Sequence, residues 1–153
     1  SKLQKHMQKL IIFLIFFFYF GNLFSNEEYF LTLRNEKVNL RQGPSFDYPV
    51  KIFYKKKYLP VLIKDSSNNF RKVRDHENNS GWIHISQLSK KKAAIVIEDD
   101  LIMFSNSTVY SNPIALLKKG RLVKIKKCSD NWCKAISGGF KGWLKKESLW
   151  GLL

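Results

Sequence analysis

The sequence predicts an all-β protein: two small β-barrels in tandem behind an N-terminal hydrophobic signal helix. Three observations carry this reading. The chain repeats itself, since Gly81-Trp82-Ile83-His84-Ile85-Ser86-Gln87-Leu88 matches Gly142-Trp143-Leu144-Lys145-Lys146-Glu147-Ser148-Leu149 at an offset of 61 residues. Upstream, Asn69-Phe70-Arg71-Lys72-Val73 matches Asn131-Trp132-Cys133-Lys134-Ala135 at 62, and Pro49-Val50 matches Pro113-Ile114 at 64. A drifting offset is what loop deletions leave in a duplicated domain, and the period is too long and irregular for a solenoid. Short apolar–polar alternations are also broken by turn residues every few positions, as in sandwiches and barrels. Finally, no segment beyond the leader sustains a 3.6-residue apolar period.

The leader comes first. Lys2, Lys5, His6 and Lys9 form a basic stretch, and Leu10 to Phe20 is an unbroken apolar run before Gly21, Asn22 and Ser25 restore polarity. Eleven residues are too few to span about 30 Å of hydrocarbon as an ordinary transmembrane helix, but they fit the apolar region of a secretory signal. Residues 1–25 are therefore read as a signal peptide, with Met7 as a possible start. An uncleaved membrane anchor is the alternative. Leu23 is larger than the small residue preferred before a cleavage point after Ser25.

The first unit, residues 29–89, opens with Val38 and Leu40 alternating with Glu36, Asn39 and Arg41, a half-buried strand. Gln42-Gly43-Pro44-Ser45 breaks it, and Val50 to Tyr54 forms a second strand that ends at Lys55-Lys56-Lys57. Leu59, Val61 and Ile63 mark a third strand. Pro60, which lacks an N–H, predicts an edge position or a bulge there. Phe70 to Arg74 and Gly81 to His84 are the fourth and fifth strands, and Ile85 to Leu88 is a 3₁₀ turn. Residues 90–94 are read as a basic linker. The second unit, 95–151, follows the same plan: strands at Ile95–Glu98, Leu101–Phe104, Ile114–Leu117, Arg121–Cys128, Trp132–Ile136 and Gly142–Leu144. Each unit is near the lower size limit for independent folding, so tight β closure, a mutual interface or a covalent staple is expected. Trp150 is expected to pack the C-terminus onto the second barrel.

The sequence Val38-Asn39-Leu40-Arg41-Gln42-Gly43-Pro44-Ser45, then Tyr48-Pro49-Val50, Phe70-Arg71-Lys72-Val73-Arg74 and Gly81-Trp82-Ile83-His84, resembles the bacterial SH3-like (Src-homology-3-like) domain. The family pattern is roughly V-N-V-R-x-G-P-S, a loop, W-x-K-V and G-W-V. Nearly all of Tyr29 to Gly151 is covered, in the exported tandem form found in Gram-negative, especially alphaproteobacterial, genomes. Phe70 stands where the family usually has Trp, which implies an aromatic core plug. The second unit shows Phe104-Ser105-Asn106-Ser107-Thr108 in place of Arg-x-Gly-Pro-Ser. The resemblance implies a module that binds cell-wall peptide and carries out no reaction of its own.

Candidate residues are few. Trp82 and Trp143 either close one end of each barrel or, for Trp82, line a groove with Arg41, Phe46 and Tyr48. These four are the candidate ligand-binding residues. Arg41 could meet a carboxylate bidentately. Cys128 and Cys133 bracket a short turn in an exported chain and are expected to form a disulfide. Zinc would need further ligands at suitable spacing, and redox catalysis normally uses Cys-x-x-Cys. His76 and His84 have no nucleophile to activate, so no catalytic residue, metal or cofactor is assigned and an enzyme is not expected. The formal charge of +15, or +12 after the three leader lysines are removed, favours anionic partners. For an exported chain those are anionic envelope polymers or lipid headgroups and not nucleic acid. The expectation is a periplasmic, non-catalytic binding module contacting peptidoglycan peptide or an envelope protein. The alternative is a scaffold held at the inner membrane, facing the periplasm, by an uncleaved helix; the membrane is a partner only in that case.

Overall fold

The computed structural model describes residues 1–19 and 27–153, so the expected cleavage point after Ser25 lies outside the described residues. Helix α1 (Lys2–Tyr19) presents Leu10 to Ile15 as exposed side chains. Among the described residues no helix is long and apolar enough to cross a membrane.

Two seven-stranded antiparallel sheets follow in tandem. The first contains β1 (Tyr29–Leu33), β2 (Val38–Arg41), β3 (Val50–Tyr54), β4 (Pro60–Ser67), β5 (Phe70–Arg74), β6 (Ser80–His84) and β7 (Leu88–Ser89). The second contains β8 (Ala93–Val96), β9 (Leu101–Phe104), β10 (Pro113–Leu117), β11 (Leu122–Ser129), β12 (Trp132–Ser137), β13 (Phe140–Lys145) and β14 (Leu149–Trp150). Strand order is β3-β2-β6-β5-β4-β1-β7 in one and β10-β9-β13-β12-β11-β8-β14 in the other, the same topology strand for strand. A 3₁₀ turn precedes the last strand of each, at Ile85–Gln87 and Lys146–Ser148.

The registers make the duplication quantitative. Arg41 pairs with Trp82 and Phe104 with Trp143, while Phe70 and Trp132 open the equivalent strands β5 and β12. One equivalence moves by a residue. Arg41 faces Val50 and Phe104 faces Pro113, so Val50 and not Pro49 is the counterpart of Pro113. Each pair then carries a bulge at its next step.

Period-2 alternation gives each sheet one apolar face. Leu33, Val38, Leu40, Tyr54, Val61, Ile63, Val73, Ile83 and Leu88, drawn from all seven strands, meet in a single buried cluster, so the sheet curls around its own core. The second cluster uses Val96, Met103, Leu117, Val123, Ala135, Leu144 and Leu149 in the same roles. Pro60 corrects the expectation from sequence: β4 is an interior strand between β1 and β5. Pro60 is its first residue, and the adjacent strand's Leu33 N–H reaches the Leu59 carbonyl at 3.0 Å, so the missing donor costs no ladder bond in the strand interior.

The two sheets are joined through β8. All four residues of β8 are buried: Ala94 and Val96 belong to the second core, whereas Ile95 belongs to the first. Leu122 packs against that first core as well. Trp150 lies not on its own sheet's core, as expected, but edge-on to Phe30 at 4.9 Å and 6.2 Å from the His76 ring. Gly151, at φ 123°, passes so near Pro60 that a Cβ would stand 2.8 Å from its side chain, a fit only glycine allows.

Asp75 organises the turn before β6. Its buried carboxylate accepts the N–H groups of Glu77 and Asn79 at 2.9 Å each, the Asn79 amide at 3.0 Å and the Tyr54 hydroxyl at 2.8 Å. Burial, and then the hydrogen bond to Asp75, hold the Tyr54 phenol above its ordinary range.

Two outcomes follow from this packing. Ile95→Ala should cost about 2–5 kcal/mol, and it should accelerate amide exchange in β4 and β5 of the first unit although Ile95 belongs to the second. Unchanged exchange there would contradict the shared core. Tyr54 stays protonated in the folded chain while the unfolded phenol ionises near pH 10. Its stabilisation is therefore complete below about pH 10 and is lost as pH rises beyond it. Urea midpoints measured against pH should fall less steeply above that value in Tyr54→Phe than in the parent.

Candidate binding site

The sequence-nominated residues lie where β2 leaves the sheet. Alternation in β2 turns Val38 and Leu40 inward and leaves Asn39 and Arg41 on the outer face. The chain then folds back on itself: Gln42 N–H donates to the Pro49 carbonyl at 3.1 Å, and Asp47 N–H to the Ser45 hydroxyl at 3.0 Å. Arg41 clamps this loop by donating through Nη1 to the carbonyls of Phe46 at 3.2 Å and Tyr48 at 2.9 Å. Its guanidinium also lies 5.2 Å from the Phe46 ring centre. Arg41 thus holds the loop in shape, a role the sequence did not show.

Phe46, 62% exposed, rests on Phe70 and His84, with ring centres 5.2 and 5.1 Å away. Phe70 and His84 meet edge-on at 5.1 Å, a favourable aromatic geometry. Phe70 is buried, but by this cluster: it lies on the opposite side of β5 from Val73 and outside the main core, so it is not the core plug that the resemblance implied. His84 is fixed from below, since Ser86 N–H donates to its Nδ1 at 3.2 Å, which leaves Nε2 to carry the proton of the neutral ring. Tyr48, 47% exposed, covers Gly43 so closely that a Cβ there would stand 2.5 Å from the ring.

Trp82 does not close the core. Gly81 and Ile83 point inward and are buried, and the half-buried Trp82 faces outward across from Arg41 and Lys72. The Gly-Trp pair has a steric basis, because a Cβ on Gly81 would meet the Arg41 carbonyl and Leu40 at 2.7 Å. A Cβ on Gly142 would likewise meet Met103 and the Phe104 carbonyl at 2.6 Å. Glycine lets the neighbouring strand cross close, and the tryptophan after it is directed outward.

The second unit builds the same face differently. Phe104 replaces Arg41 and meets Trp132 edge-on at 5.8 Å, while Lys127 and Lys134 lie 5.7 and 6.0 Å from the Trp143 ring. The Ser111 hydroxyl, donating to the Thr108 carbonyl at 2.7 Å, takes over the clamp. Val109, Tyr110, Ile102 and Leu116 are exposed around this loop, so the face is more apolar than its loop sequence implied. Among the described residues, no three His, Cys, Asp or Glu side chains gather as metal ligands.

A family model described as the bacterial SH3 domain matches residues 34–90 and 99–151. No curated protein sequence matches the chain. Among solved structures it is similar to NlpC2 from Trichomonas vaginalis, at 15% identity and a TM-score of 0.37, over 83% of this chain and 49% of that one. It is also similar to NlpC1 from the same organism, at 14% and 0.36, over 82% and 46%. The chain spans about half the length of these structures.

Cys128 and Cys133 are bonded and face each other across β11 and β12, closing the hairpin whose tip is Asp130 and Asn131. The first unit closes the same hairpin, at Asn68 and Asn69, with Ser66 opposite Arg71 and no bridge. Replacing both cysteines by Ala should cost about 2 kcal/mol, the entropy of so short a loop. Thiol titration of the untreated protein should find no free sulfhydryl. Two reactive thiols would contradict the bond.

Proposed function

Because the chain belongs to the bacterial SH3 domain family, we propose that it is a non-catalytic binding module, exported to the periplasm as a pair of SH3-like barrels. Its ligand is peptidoglycan peptide or an envelope protein, taken on the outer face of the first unit. The observation that carries this reading is the Phe46–Phe70–His84 cluster, exposed at Phe46 and held by the two Arg41 bonds to its loop. Such a platform is formed before binding, so few rotamers are frozen when an extended peptide docks. Tyr48 supplies a second exposed ring, and Lys72 and Trp82 continue the face on β5 and β6.

The second reading is a scaffold retained at the membrane by α1. The exposed apolar residues Leu10 to Ile15 support it as well as they support a leader. The mature N-terminus separates the two: a start near Asn26 identifies a released module, and an intact start an anchored one.

Tyr48→Ala should weaken retention on purified cell-wall sacculi by about 1–2 kcal/mol, roughly tenfold. The melting temperature should barely move, since the ring is half-exposed. Retention that survives high salt identifies the platform, and retention abolished by salt identifies charge alone. A Tyr48→Ala protein that binds sacculi normally would overturn the reading.

A further inference from the structure

We propose that the junction between the two units holds a phosphate-binding site formed by Lys57, Lys91 and Lys124 around Tyr58. A cleft of about 480 Å³ opens there, between β1, the segment joining the units, and β11. Lysines 90, 91, 92, 127 and 146 line it, and no Asp, Glu or Arg does. Beside it stands Tyr58, with Lys124, Lys57 and Lys91 at 4.7, 5.2 and 5.6 Å from its ring centre. Lys91 belongs to both groups. No two of the three ammonium groups around Tyr58 can be more than roughly 11 Å apart, about one Debye length.

These lysines are placed by the fold. The Thr32 hydroxyl donates to the Lys91 carbonyl at 2.8 Å, and Ile125 N–H donates to the Lys92 carbonyl at 3.0 Å, so each unit holds the joining segment. Tyr58, at φ 68°, is tied by its N–H to the Leu33 carbonyl at 2.9 Å. Like charges gathered by a rigid frame repel one another until an anion enters. Three carboxylates are engaged elsewhere: Glu28 pairs with Lys64, Asp100 with Lys118, and Asp75 is buried in its turn. The Tyr58 phenol reports the resulting field, because Lys57, followed by Lys91, holds it below its ordinary range.

The donor set selects the anion. A phosphate group has several oxygens for several ammonium groups, and lysine meets it as a point charge, whereas a carboxylate is best met by the arginine fork that this cleft lacks. Tyr29, Leu31, Ile125 and Leu152 give the cleft an apolar floor for the organic part of a phosphate ester. Lys146 donates to the Leu153 carbonyl and Lys127 lies over the Trp143 ring, so both are left outside the set. An anionic phospholipid headgroup and free phosphate share this chemistry.

The full chain would be titrated with inorganic phosphate, and separately with phosphatidylglycerol and phosphatidylcholine vesicles. The junction variant carries Lys57→Gln, Lys91→Gln and Lys124→Gln. The control removes equal charge from exposed positions through Lys37→Gln, Lys55→Gln and Lys119→Gln. The parent should bind, its Tyr58 titration should move upward when phosphate is present, and the junction variant should lose roughly tenfold in affinity while the control changes little. Binding only to phosphatidylglycerol identifies a lipid headgroup, and equal response to inorganic phosphate identifies the free anion. If the threefold variant does not fold, Lys91→Gln with Lys124→Gln replaces it. A control that loses as much as the junction variant, or a parent that binds neither probe, overturns the site.

Discussion

The burial of β8 on both faces governs the rest of the architecture. Four residues, Ala93-Ala94-Ile95-Val96, carry no polar side chain, and each side of the strand closes a different core. Ala93, on the same side of β8 as Ile95, is small enough to let the two sheets approach, while Ile95 adds its side chain to the first core. Units of this size are marginal alone because too little of their surface is buried. Trp150 on Phe30, and Gly151 against Pro60, extend the same contact along β14. The concave junction and its lysines are consequences of this contact, since the segment from Lys90 to Lys92 must run between two bodies that β8 draws together.

A second constraint is the close crossing at Gly81 and Gly142, which turns each sheet's aromatic residues outward. With the strand before the loop pressed against a glycine, the next residue, Trp82 or Trp143, has its place on the outer face. The two copies then diverge. In the first, Arg41 clamps the loop and Phe46 is laid over Phe70 and His84. In the second, Phe104 fills the arginine's position, a serine hydroxyl ties the loop, and a disulfide staples the hairpin below. One scaffold thus presents a cation-clamped aromatic platform on one copy and an apolar, lysine-edged face on the other.

The duplication, most strand positions and the family were legible in the chain because alternation and turn residues are local signals. However, β1 at Tyr29–Leu33 was not, and Ala93 and Ala94, expected in the linker, are buried residues of β8. Repeated Gly-Trp pairs keep their meaning whatever surrounds them. The disulfide was legible for the same reason, as two cysteines flanking a short turn have few other options. What covers the second face of a strand is not local, and only the tertiary structure decided it. Pro60 proved compatible with an interior strand because it stands at that strand's first position. Phe70 and Trp82 lie on the outer face because Val73 and Ile83 already occupy the core. Ile95 and Trp150 cross to the other unit, and lysines distant in sequence converge around Tyr58, because these contacts exist only once two curled sheets have met.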